Sequence, residues 1–270
     1  MIEFGSIING KQIKNGRWID VFNPYTNKKI GRVSAIDIET LDKVIRDTKK
    51  TKIKLTRYER YTILNKMADA LEERVSEVSR MITDETGLCL KDTHYEASRV
   101  SDVLRFSAMK TLDDDSQVFP RDVSKNGKPR RIYTTRVPLG LISAITPFNH
   151  PMNQVAHKIA PAIATNNTVI LKPSERTPLS AYYFAQLALD CGLPPNMLNV
   201  VNGENLEETA EMLTVHPEIT MVSFTGGSEV GKIIASKAGY KKLVLELGGS
   251  SALLILDDAD IDEAVEVTMS

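Results

Sequence analysis

Two cysteines in 270 residues leave nothing from which to build a disulfide framework. Cys89 and Cys191 show neither metal-ligand spacing nor a CxxC pair. Each reads as a small packing residue, Cys89 at a turn between helices and Cys191 ahead of the helix stop Gly192-Leu-Pro-Pro. An excess of charge is lacking too: 34 Lys plus Arg stand against 35 Asp plus Glu, a formal net charge of -1. A long-range field for nucleic acid or anionic lipid is thereby excluded. No run approaches the ~18 apolar residues of a membrane span, and the opening MIEFGSIINGKQIKNGRW lacks the apolar core of a signal peptide. A cytoplasmic protein is expected. Internal repeats and low-complexity linkers are also missing. What is present is a hydrophobic content of 42%, ample for a core in one large or two modest domains.

Along the chain, residues 7–35 read as short strands: Ile7-Ile8, an Asn9-Gly10 hairpin turn, Trp18–Phe22, Asn23–Asn27 and Ile30–Ser34. From Ile38 to about Leu112 the period becomes helical. Thr56 and Glu59 have capping-box spacing, and Leu64, Met67, Ala68, Leu71, Val75 and Val78 fall on one helical face. The acidic cluster 113–115 breaks the pattern. Asn126-Gly127 supplies a turn before an alternating strand, Arg131–Val137; the bland reading of this segment is a surface hairpin.

From Pro138 onward strands alternate with helices, the strands near 139–145, 168–171, 198–201, 219–224 and 242–247, with one more at Ala252–Leu256 and a helix from Asp260 to Ser270. That order predicts an α/β fold of the doubly wound, Rossmann-like class, a parallel sheet covered on both faces. The stretch from Ile145 to Pro178 is central to it. A buried strand ends at Thr146-Pro147-Phe148-Asn149, a helix spans Asn153–Ala164, and a second strand ends on Lys172-Pro-Ser174-Glu175. In a right-handed βαβ unit both strand ends reach the same rim, where open sheets bind ligands.

Several residues there suit chemistry. The Asn149 amide offers uncharged donors fit for an oxyanion hole, although Asn is equally a turn former. Glu246, inside the apolar run Leu243–Leu247, is expected to be a buried carboxylate with a raised pKa and a base near neutral pH, or else a strand-end salt-bridge partner. Thr225-Gly226-Gly227-Ser228 ends a strand and opens a helix, a place for diphosphate or a plain cap. Lys172 and Glu175 sit where the adenosine ribose is read, or form a solvated pair. A carboxylate at 175 repels a 2′-phosphate, favouring NAD over NADP. Arg99 is a candidate for an anionic substrate group, or a surface arginine paired with Glu96 at i−3.

These motifs, together with Phe224-Thr-Gly-Gly-Ser-Glu-Val-Gly231 and Leu245-Glu-Leu-Gly-Gly249, resemble the nucleotide-binding part of the aldehyde dehydrogenase superfamily in order and rough spacing. The wording of the 145–167 stretch and of Glu85–Asp92 is most similar to phosphonoacetaldehyde dehydrogenases. The resemblance implies an NAD(P)-dependent enzyme that oxidises an aldehyde through a cysteine thioester, with Asn149 as oxyanion donor and Glu246 activating water. It implies dinucleotide contacts at Ile145, Thr146, Pro147, Phe148, Lys172, Ser174, Glu175, Gly203, Phe224, Gly226, Gly227, Val230, Leu247 and Gly248, Gly203 facing the adenine. It also implies a cofactor domain formed by 1–120 and 138–270, a subunit-joining hairpin arm at 121–137, and a homo-oligomer. The family's catalytic cysteine follows Glu-Leu-Gly-Gly, whereas no cysteine follows Cys191 here. The chain is therefore expected to be truncated and inactive alone; the alternative is a catalytically silent nucleotide-binding or interaction module.

Overall fold

The structure is a computed structural model and describes residues 1–52, 54–113, 115–128 and 130–269. The acidic residue Asp114 and the expected helix end at Ser270 lie outside the described residues. In chain order the elements are β1 (Ile2–Phe4), β2 (Ser6–Ile8), β3 (Lys11–Ile13), β4 (Trp18–Phe22), β5 (Lys29–Ile36), α1 (Ile38–Lys50), α2 (Arg57–Glu72), α3 (Val75–Thr86), α4 (Leu90–Thr111), β6 (Val118–Phe119), β7 (Ile132–Tyr133) and β8 (Leu141–Ile145). There follow α5 (Pro151–Ala164), β9 (Thr168–Lys172), α6 (Leu179–Asp190), β10 (Leu198–Val200), β11 (Asn202–Gly203), α7 (Leu206–Val215), β12 (Met221–Gly226), α8 (Ser228–Lys237), β13 (Lys242–Leu247) and α9 (Ile261–Met269).

The principal sheet is seven-stranded, in the order β13-β12-β8-β9-β10-β2-β3. From β13 to β10 its strands are parallel, and the antiparallel pair β2 and β3 closes the far side. The chain leaves β8 toward β9 and β10 on one side, then returns to place β12 and β13 on the other, so the strand order reverses between β8 and β12. A reversal of this kind opens a crevice at the strands' carboxyl ends. One face is covered by α2 to α6, whose Leu64, Met67, Val155, Ile159 and Phe184 join a single apolar cluster; Leu41, Ile45, Leu213 and Ile234 from α1, α7 and α8 cover the other. A smaller sheet of β1, β4, β5 and β11 stands beside it.

Local chemistry explains the element ends. The Thr56–Glu59 capping box forms as expected, Glu59 N–H donating to Thr56 Oγ1 at 3.2 Å and Thr56 N–H to Glu59 Oε2 at 2.7 Å. The helical face read as continuous through Val75 and Val78 is broken at Glu73-Arg74, and these valines belong to α3. Gly87 ends α3 with φ +78°, a conformation that favours glycine.

Three expectations fail. Asn23–Asn27 is a turn rather than a strand, because Asn23 Oδ1 accepts from the N–H groups of Tyr25 (3.1 Å) and Thr26 (2.8 Å). The strand expected at Arg131–Val137 shrinks to Ile132-Tyr133, paired with Val118-Phe119. Ala252–Leu256 forms no strand: no neighbouring strand lies beside it among the described residues, and Leu253, Leu254, Ile255 and Leu256 are exposed. Of the two thiols, Cys191 is half-buried and packs against the main apolar cluster as expected, whereas Cys89 is exposed.

Candidate active site

The crevice between β8 and β12 gathers most of the residues singled out from sequence. Register places Ile145 beside both Lys172 of β9 and Phe224 of β12, and Thr225 and Gly226 beside Glu246 and Leu247 of β13. The loop Thr146–Asn149, the segment Lys172–Glu175, the turn Gly226-Gly227 and the end of β13 thus share one rim. Ile145 turns its side chain into the core, so only its backbone faces the crevice. Gly203 ends β11 in the smaller sheet, yet lines a cavity of about 170 Å³ with Lys172, Glu175 and Asn202. Arg99 stands apart on α4, exposed, and the expected pairing with Glu96 is not made: Glu96 is buried and bonded elsewhere.

The loop after β8 is held at several points. Thr146 N–H donates to the Lys172 carbonyl at 3.2 Å, and Thr177 Oγ1 donates to the Phe148 carbonyl at 3.1 Å. The Arg176 guanidinium lies 4.2 Å from the Phe148 ring centroid. Pro147 is half-buried, and Ser174 is spent locally, its Oγ accepting from Arg176 N–H. The Asn149 amide is exposed and, among the described residues, makes no hydrogen bond.

Lys172 is buried, donating to Glu175 Oε2 and to the Pro173 carbonyl, both at 3.3 Å. Burial holds its pKa below the ordinary lysine value, and Glu175 opposes that shift. Glu246 departs from expectation. It is exposed, because β13 is an edge strand with β12 as its partner in the sheet, and apolar neighbours in sequence do not supply a covering layer.

Sequence reasoning passed over Lys158, which is 8% exposed on the inner face of α5. Its Nζ donates to Thr225 Oγ1 at 2.8 Å and to Ser223 Oγ at 3.2 Å, pinning α5 to β12 directly below the rim. Burial pushes its pKa down to about 8, with the Glu246 carboxylate pulling the other way. Burial and the Arg99 and Lys158 charges likewise lower His157. A signal existed: Lys158 sits at core-face spacing beside Val155, Ile159 and Ala162, where a charge has to be paired or functional.

A dinucleotide fits these residues. Thr146 Oγ1 is buried at the end of β8 and has no hydrogen-bond partner among the described residues, so it is a polar atom that a bound dinucleotide could satisfy. The N-cap of α8 is Gly227, which contributes no side-chain bond and has open space where a side chain would stand, leaving first-turn N–H groups for phosphate. Between α7 and α8 a cavity of about 390 Å³ has an apolar side of Ala210, Val230, Ile233 and Ile234 and a polar side that includes the Lys237–Glu211 ion pair, room for a flat base with polar edges. Leu247 packs on Gly231, and Gly248 accepts from Ser228 Oγ at 3.4 Å, so β13 also borders this helix start.

The aldehyde dehydrogenase family model matches residues 11–270. The chain belongs to the aldehyde dehydrogenase family. A 3-sulfolactaldehyde dehydrogenase of Priestia aryabhattai is 34% identical over 266 residues, 98% of this chain and 56% of the relative. The NADP-dependent glyceraldehyde-3-phosphate dehydrogenase of Bacillus halodurans, solved with NADP, superposes with TM-score 0.88 at 31% identity over 98% of this chain and 57% of its own. A betaine aldehyde dehydrogenase of Staphylococcus aureus, solved with NAD+, gives TM-score 0.90 at 29% identity over 98% and 55% of the two chains. The chain therefore spans little more than half of each of these family members. The α/β architecture, a mixed but mainly parallel sheet with helices on its faces, is that of aldehyde dehydrogenases.

Proposed function

We propose that these residues form the cofactor-binding half of an NAD(P)-dependent aldehyde dehydrogenase, with NAD the preferred dinucleotide. The observation supporting the proposal is the strand register, which brings the carboxyl ends of β8, β9, β12 and β13, and with them Asn149, Lys172, the Gly226-Gly227 turn and Glu246, to one edge of the sheet. Lys172 and Glu175 address the ribose hydroxyls, the α8 N-terminus takes the diphosphate, and the α7–α8 slot takes the adenine. Glu175 disfavours a 2′-phosphate.

In the reaction, a thiolate attacks the aldehyde carbonyl and Asn149 donates to the oxygen as negative charge develops there. Glu246 then removes a proton from the water that cleaves the thioester. Bound nicotinamide supplies the two-electron acceptor for the oxidation. Neither thiol of these residues serves as nucleophile. Cys191 closes α6, about 18 Å along the helix from its start near the rim, and burial pushes the thiol up; Cys89 starts α4. The 270 residues are accordingly inactive alone. Arg99, exposed and close enough to His157 for its charge to be felt there, receives an anionic group on the aldehyde, phosphonoacetaldehyde being the named candidate. The names of two relatives, a sulfolactaldehyde and a glyceraldehyde-3-phosphate dehydrogenase, also denote anionic aldehydes. The arm at 121–137, which contains β7, joins subunits in an oligomer.

Titration of wild type and Glu175→Gln with NAD and NADP tests the cofactor assignment. NAD should bind more tightly to wild type, and the substitution should narrow the gap; an unchanged preference overturns the ribose assignment. Aldehyde oxidation by residues 1–270 alone would overturn the statement about the nucleophile.

A further inference from the structure

An asparagine just ahead of a helix is ordinarily spent on that helix, its side chain accepting from first-turn N–H groups. Asn149 stands two residues before the start of α5, and its amide is uncommitted among the described residues. His150, at the N-cap position, makes no side-chain cap either. The first-turn donors are nevertheless satisfied. Pro151 has no N–H, and Gln154 N–H donates to the His150 carbonyl at 3.0 Å. Met152 and Asn153 N–H both donate to Glu96 Oε1 of the neighbouring helix α4 at 3.0 Å, while Glu96 Oε2 lies 3.3 Å from His150 Nδ1.

Glu96 is 2% exposed, so its carboxylate is held at a desolvation cost that a capping side chain at 149 or 150 would not incur. That cost is offset by the N–H donors and by the partial positive charge of the helix start. Capping from α4 does what a local cap could not: it fastens the backbone of 150–153 without using the side chain of residue 149. On the other side, Thr177 and Arg176 already hold Phe148. We propose that Glu96 is a positioning residue for Asn149, fixing the turn on its C-terminal side and leaving its amide free to meet developing negative charge. The functional part rests on the assignment of Asn149 as oxyanion donor.

The test uses the protein with Glu96→Ala, Glu96→Gln and, as control, Glu85→Gln. Glu85 caps α6 in the same manner, accepting from Leu179 N–H at 2.7 Å and Ser180 N–H at 3.1 Å; it senses the Glu96 charge but makes no hydrogen bond to residues 148–153 among the described residues. Hydrogen exchange reads the Met152 and Asn153 amides, and NMR reads the Asn149 side-chain amide. In Glu96→Ala those backbone amides should exchange about ten-fold faster or more, and the Asn149 signals should shift, with β8 amides unchanged. Glu96→Gln retains an acceptor oxygen and should restore most of the protection. Glu85→Gln should leave Asn149 where it is. If Glu96→Ala does not fold, Glu96→Asp, one methylene shorter, takes its place. Unmoved Asn149 signals in the Ala or Asp variant would overturn the proposal, as would a folded Gln variant no better protected than Ala. NAD titration of the same samples separates the two readings: failure to bind removes the cofactor assignment, while the exchange data still decide whether Glu96 orders Asn149.

Discussion

Strands β8 and β13 belong to one sheet and are similarly apolar in sequence, Leu-Ile-Ser-Ala-Ile against Lys-Leu-Val-Leu-Glu-Leu, yet their fates differ. Every residue of β8 is buried; in β13 Val244 and Leu247 remain 42% and 39% exposed. The difference lies in neighbours. β8 is flanked by β9 and β12 and lies under α5 and α7, whereas β13 pairs with β12 and meets α8. Burial is thus a property of position in the sheet, and the chemistry at each strand's end inherits it: the loop after β8 is rigidly held, while Glu246 on β13 stands in solvent.

This contrast can be pressed by substitution. Leu141→Ala in β8 should cost about 2–5 kcal/mol by denaturant unfolding, since Leu141 is fully buried and its removal leaves a cavity. A cost below about 1 kcal/mol would mean that the centre of the sheet is no better packed than its edge. Lys158→Met, below the same rim, should stabilise the protein by no more than about 1 kcal/mol near pH 7, relief of the buried charge being largely offset by loss of its bonds to Ser223 and Thr225. The sign of its pH dependence follows from a folded pKa of about 8 beneath the ordinary 10.5. Between these values the unfolded chain binds more protons, so wild-type stability rises with pH through that window. The advantage of Met should therefore be full below about pH 8 and shrink toward 10.5; a gap that widens with pH would contradict the burial of Lys158. The smallest effect belongs to the uncovered run after β13. Leu254→Ala, at a residue 83% exposed, should change unfolding free energy by less than about 0.5 kcal/mol.

The same contrast explains what could be read before the structure. Parallel strands, their approximate limits, the Thr56–Glu59 cap and the shared rim all follow from local pattern and the handedness of βαβ connections. The burial expected of Glu246 is not found, because periodicity reports apolar neighbours along the chain, not the number of layers above it. Ala252–Leu256 was misjudged for the same reason, since a strand requires a partner as well as a composition. The contact between Glu96 and the start of α5 joins residues 56 and 57 positions apart, which no window of sequence reveals. Lys158 was legible in principle, a cation at an inward-facing helical position, but its hydroxyl partners on β12 were not.

The two margins of the principal sheet are unlike. One ends in β3, three residues long and carrying Lys11 and Gln12, a poor template for further pairing. The other is β13, six residues long, with apolar side chains in solvent. A ribbon with two receptive borders can recruit copies without end, whereas one with a single receptive border is satisfied by a single recruit. Of the principal sheet's two borders, β13 is the receptive one among the described residues, left so by having β12 as its partner in the sheet.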